Sequence, residues 1–116
     1  MNKRTIGSQY EDMAKRYLIT QGVSLLESNF RVRTGEIDII GKQGNTLVFF
    51  EVKYRKNNRA GSPLEAVTYR KQKQICKTAM YYINKYKVSS HMNIRFDVIG
   101  ISEKEISWIQ NAFPYV

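Results

Sequence analysis

Two stretches, Glu36 to Gly41 and Thr46 to Tyr54, constrain the chain more than any other feature. Both are nearly continuous apolar runs: Ile37, Ile39 and Ile40 in the first, and Leu47, Val48, Phe49, Phe50 and Val52 in the second. A strand with one wet face alternates apolar with polar residues, so runs like these predict strands covered on both faces. The four residues Lys42-Gln43-Gly44-Asn45 lie between them, and a short glycine-containing connection predicts an antiparallel hairpin. The core of the fold is therefore a sheet with layers above and below it.

Asp38, Glu51 and Lys53 are set into those same runs. An ionised group buried without partners costs several kcal/mol, so the three require a compensating arrangement. With a four-residue loop closing at Gly41 and Thr46, Asp38 falls opposite Phe49 and Glu36 opposite Glu51. Side chains alternate along a strand and opposed residues share a face, which places Glu36, Asp38, Glu51 and Lys53 on one side. Three carboxylates so close repel, and one lysine does not balance them. A divalent cation does. Oxygen donors of this kind suit Mg2+ or Mn2+, which takes one or two carboxylates together with waters and phosphate oxygens. Such an ion polarises a scissile phosphate and lowers the pKa of a bound water, while Lys53 positions or activates that water and offsets phosphate charge. The chemistry implied is phosphodiester hydrolysis. On the hairpin alone, a simple ion pair between Lys53 and Asp38 or Glu51 near a sheet end is the alternative explanation of the same residues.

The remaining elements follow from periodicity. Ile6, Tyr10, Met13, Ala14, Tyr17 and Leu18 recur at spacings of three and four, predicting a helix over 6–21 that Gly22 ends. An extended segment over 25–33 runs into a turn at Thr34-Gly35. After the polar loop 56–62, Pro63 opens a long second helix, marked by Leu64, Val67, Ile75, Ala79, Tyr82, Ile83 and Tyr86 and reaching about Lys87. Residues 93–101 alternate as a further strand, and Ile106 to Phe113 form a terminal strand or helical turn. The fold class expected is α/β, a mixed central sheet flanked by helices, and 116 residues suffice for one domain. Lys71 lies four residues after Val67 and four before Ile75, so it points from the second helix toward the sheet. Glu11 stands three before Ala14, at the edge of the first helix's buried face. Both join the candidate site.

Composition enters through charge. The formal net charge is +9, and the segment 55–87 carries nine basic residues against one acid, so nearly all the excess sits there. The partner expected is a polyanion. Arg33, Arg55, Lys56, Arg59, Arg70, Lys73 and Lys77 are the candidate phosphate contacts. No apolar run, Leu47 to Phe50 included, approaches the length needed to span a bilayer, so no membrane partner is expected. Cys76 is alone, which points to a reducing, cytoplasmic setting. His91 has no companions for a zinc site. Arg95 and Asp97, flanking Phe96, are expected to serve structure.

Gly35-Glu36-Ile37-Asp38-Ile39-Ile40, Leu47 to Arg55, Glu65-Ala66-Val67 with Lys71, Arg95 to Ile99 and Asn111-Ala112-Phe113 together resemble the bacterial YraN-like family. That family is similar to Holliday-junction resolvases, and through them to the PD-(D/E)XK nuclease superfamily. The resemblance runs from Gly7 to Phe113 and implies a restriction-endonuclease-like core. It implies that Asp38 and Glu51 bind the metal with the Val52 carbonyl, that Lys53 is the catalytic lysine, and that Glu11 and Lys71 are the helical members of the site. No proline precedes Asp38. The function expected is a metal-dependent endonuclease acting on branched or structured DNA, with a twofold dimer if it cuts both strands of a symmetric junction. The alternatives are a non-catalytic nucleic-acid-binding module with the same fold, or a basic protein that docks on a larger assembly.

Overall fold

The computed structural model describes residues 3–56 and 62–116, with side chains from Ser8 onward. Arg59, most of the polar loop and the side chain of Ile6 lie outside the described residues. The order is helix α1 (Lys3–Thr20), strands β1 (Ser24–Val32), β2 (Gly35–Gln43) and β3 (Thr46–Tyr54), helix α2 (Tyr69–Lys85), and strands β4 (Asn93–Ile101) and β5 (Ile106–Ile109). The five strands form one mixed sheet in the order β1-β2-β3-β4-β5. Only β3 and β4 run parallel, and α2 with its flanking turns supplies the crossover that a parallel pair demands.

The apolar hairpin lies inside two layers, as its composition predicts. Leu47 and Phe49 pack with Ile75, Ala79 and Tyr82 beneath α2. Val48 and Phe50, pointing the other way, pack with Ala14 and Leu18 beneath α1. Helix α1 stops where expected: Gly22 takes a φ of +88°, its N–H bonds to Ile19 O (3.1 Å) and the Val23 N–H to Leu18 O (3.0 Å), a closure that favours glycine. No helix among the described residues is long and apolar enough to cross a membrane.

Two local expectations are corrected. The hairpin loop is two residues rather than four, because Gln43 pairs with Thr46 and Gly44 adopts a φ of +59°, at the position where a tight II′ turn takes glycine. The register therefore places Ile40, not Asp38, opposite Phe49. The long second helix is broken as well. Pro63–Ala66 form a 3-10 turn capped by Ser62, and α2 begins only at Tyr69, where the Thr68 side chain accepts the Lys71 N–H at 3.2 Å. Val67 is buried beneath the helix without belonging to it.

Candidate metal-dependent active site

The β2–β3 ladder ends at Ile39 and Phe50. One step beyond, where Asp38 and Glu51 would be the next opposed pair, a side chain replaces the backbone bond: Val52 N–H donates to Asp38 Oδ2 at 2.8 Å. Past this point β2 stays with β1, through Phe30–Ile37 and Arg31–Glu36. Strand β3 stays with β4, through Glu51–Val98 to Tyr54–Ile101. The sheet forks, and the two acids stand in the opening.

The fork also breaks the period-two alternation of β2. Ile37 belongs to the cluster beneath α2 and Ile39 to the cluster beneath α1, although strict alternation would put both on one face. Opposite Asp38, β1 is distorted too, since Asn29 adopts a left-handed φ of +54°, a conformation that asparagine tolerates better than most residues. The expectation that Glu36 shares a face with Asp38, Glu51 and Lys53 is thereby overturned. Glu36 turns to the α1 side and pairs with Arg31 (Nε to Oε2, 2.9 Å). With its amide oriented to satisfy both neighbours, Asn29 Nδ2 donates to Glu36 Oε1 (3.1 Å) and to Glu11 Oε1 (2.8 Å). Asn29 was not a sequence candidate; an asparagine facing an acid across a distorted strand pair was the available signal.

The carboxylate that acts on Glu51 is Asp38 alone, without Glu36. Glu51 is 6% exposed, and burial, then the charge of Asp38 and a hydrogen bond to it, push its carboxyl up to about 8, against the opposing pull of Lys71 and Lys53. Lys53 Nζ lies 3.8 Å from Glu51 Oε1. Lys71 is half-buried in the first turn of α2 and acts on Glu51 from the opposite layer to α1. Glu11 reaches the same opening from α1: burial, then the charges of Asp38 and Glu36, raise its pKa, with Lys15 opposing. The structure thus brings together Glu11, Asp38, Glu51, Lys53 and Lys71, with the Val52 backbone beside Asp38.

The donor set can be tested against a metal. Among the described residues no three His, Cys, Asp or Glu side chains converge closely enough to cage an ion. Two hard carboxylates set side by side do fit a cation of the magnesium type, which keeps several waters and needs only one or two protein carboxylates. Burial and the neighbouring charge of Asp38 push the Glu51 carboxyl up, and a cation set between the two would relieve the same repulsion.

The phosphate-binding candidates separate. Arg70, Lys73 and Lys77 project from one face of α2 into a single groove. Arg33 sits in the β1–β2 turn and is exposed, as is Lys56, whereas Arg55 is half-buried and its N–H bonds to Ile101 O at 2.8 Å. Arg95 and Asp97 are structural, as expected. Asp97 is fully buried and accepts two bonds from Arg95, one from Trp108 Nε1 and one from the Asn111 N–H, each 2.9 Å.

Comparison with known proteins adds a family. A model of the uncharacterised protein family UPF0102 matches residues 10–101. A UPF0102 protein of Vibrio campbellii is 49% identical over 114 residues, covering 96% of this chain and 93% of the relative. One from Vibrio parahaemolyticus is 47% identical over 113 residues, with the same coverage. A UPF0102 protein of Thermodesulfovibrio yellowstonii is 45% identical over 113 residues, covering 97% of this chain and 99% of the relative.

Proposed function

The chain belongs to the UPF0102 family, and from that premise and the paired carboxylates at the β2–β3 fork we propose that it is a metal-dependent endonuclease that hydrolyses phosphodiester bonds in branched or structured DNA. The observation that carries the reading is the placement side by side, where the sheet opens, of the buried Glu51 and of a half-buried Asp38 that accepts the Val52 N–H. A five-stranded mixed sheet between two helices, forked at its acids, supports a restriction-endonuclease-like core.

Asp38 and Glu51, with the Val52 carbonyl, would hold Mg2+ or Mn2+; such an ion supplies Lewis-acid polarisation of the phosphate and a water of lowered pKa. The Val52 N–H fixes the Asp38 carboxylate, so that little side-chain entropy is lost when a ligand arrives. Lys53, tethered to Glu51 in the metal-free protein, holds a positive charge beside the scissile group. Lys71 adds a second from α2, and Glu11, its pKa raised, is a proton acceptor at the edge of the site.

The test is cleavage of labelled four-way junction, flap and linear duplex DNA with Mg2+, Mn2+ or EDTA, beside Asp38→Ala, Glu51→Ala and Lys53→Ala. Metal-dependent cutting that each substitution reduces by roughly a hundred-fold or more is expected. Cutting that survives both acid substitutions marks a contaminant. If wild type and variants bind DNA alike and none cuts it, the endonuclease reading fails and a nucleic-acid-binding module takes its place.

A further inference from the structure

A groove on the outer side of α2 is not used by the chemistry above. It runs between the outer face of α2, Thr34 of the β1–β2 turn and the C-terminal segment, with a volume of about 700 Å3. The turn can approach α2 so closely because it ends in glycine: a Cβ on Gly35 would stand 2.8 Å from Thr78 Oγ1. Arg70, Lys73 and Lys77, at helical spacings of three and four, supply the positive wall, and among the described residues no acidic side chain lines the groove. Tyr69 and Tyr115 supply aromatic surface, 63% and 61% exposed. Lys73 Nζ sits 5.4 Å from the centre of the Tyr69 ring, so cation and ring are already associated.

We propose that this groove binds a single-stranded DNA segment, its phosphates against Arg70, Lys73 and Lys77 and its bases against Tyr69 and Tyr115. The inference rests on the endonuclease reading and narrows its substrate class to DNA with unpaired nucleotides. A volume of about 700 Å3 is within the range of small-ligand pockets, roughly 300–1,000 Å3. A duplex laid over the helix offers phosphates to the cations and leaves the rings idle, because its bases stay stacked. Interleaved cations and exposed rings match a strand whose bases are free to stack.

Binding is measured by fluorescence anisotropy in EDTA with the Asp38→Ala chain, so that cleavage plays no part, using oligo(dT), a blunt duplex of equal length and oligo(rU). Oligo(dT) is expected to bind at least about ten-fold tighter than duplex. Tyr69→Ala and Tyr115→Ala should each weaken oligo(dT) roughly five- to thirty-fold and change duplex binding less than two-fold, with Tyr69→Phe and Tyr115→Phe restoring it. Lys73→Ala should weaken both probes. Equal affinity for the two DNAs with tyrosine variants that change neither overturns the proposal, and so does oligo(rU) binding ten-fold tighter than oligo(dT). Thermal melts of each variant separate lost binding from lost folding. A wild-type chain that cuts nothing yet shows the tyrosine dependence refutes the endonuclease reading alone, and one that cuts DNA without it refutes the groove alone.

Discussion

Between about pH 4.5 and pH 8 the folded, metal-free chain retains a proton on Glu51 that the unfolded chain releases. Over that interval the native state binds more protons than the unfolded state, so the stability conferred by the proton is complete below the ordinary value of 4.5 and is lost as pH rises toward 8. In EDTA the unfolding free energy should fall by about 4 kcal/mol across this window. Glu51→Gln, which keeps the hydrogen bond and removes the titration, should flatten the curve. Identical pH profiles for the two proteins in urea denaturation would sink this account. Asp97 is the opposite kind of buried acid, with Arg95, Trp108 and Asn111 all donating to it. Asp97→Ala strands a half-buried guanidinium and two N–H donors, and should cost about 3–5 kcal/mol by the same measurement. Metal binding, followed by calorimetric titration, should be unaffected.

At the scale of elements, the 3-10 turn Pro63–Ala66 rests on β4 at Gly100, where an added Cβ would overlap the Pro63 ring. Gly100→Ala must push that turn away, and with it the start of α2 that carries Lys71. A loss of about 1–3 kcal/mol from overpacking is expected, with cleavage reduced by roughly ten- to hundred-fold. A crystal structure of the variant with an unmoved turn would contradict this. These elements also show how far the sequence could be read. The unbroken apolar run of β3 announced a strand covered twice, and the acids within it announced a site, because both are statements about burial. The break at Val67–Thr68 was hidden by the apolar stripe that Val67 prolongs, even though Ser62 and Thr68 were each able to cap. The fork was hidden for a deeper reason: period-two reasoning assumes that a strand keeps its alternation, and β2 loses it at Asp38 through distortion in its neighbour, at Asn29. The site residues were legible singly, and their grouping into a pair with Glu36 set apart was not.

Across the whole molecule, the net charge of +9 combines two opposed contributions. The cations of α2 attract phosphates, while the Asp38 carboxylate repels any phosphate that enters the fork unless a cation lies between them. Charges more than about 10 Å apart are largely screened at ordinary ionic strength, so this repulsion reaches only the phosphate nearest the fork. At contact distance it amounts to about 1 kcal/mol in a water-like medium and more in a drier one. In EDTA, Asp38→Asn should therefore bind DNA roughly five- to ten-fold tighter than wild type, even though it is the substitution expected to abolish cleavage. Because no phosphate-bound cation changes, the dependence of log affinity on log salt should keep its slope. Lys77→Ala should do the reverse, weakening binding and making the slope shallower by about one. Anisotropy titrations at several salt concentrations measure both quantities. A wild type and an Asp38→Asn variant of equal metal-free affinity would mean that the phosphate does not approach the fork, and the paired acids would then belong to the fold alone.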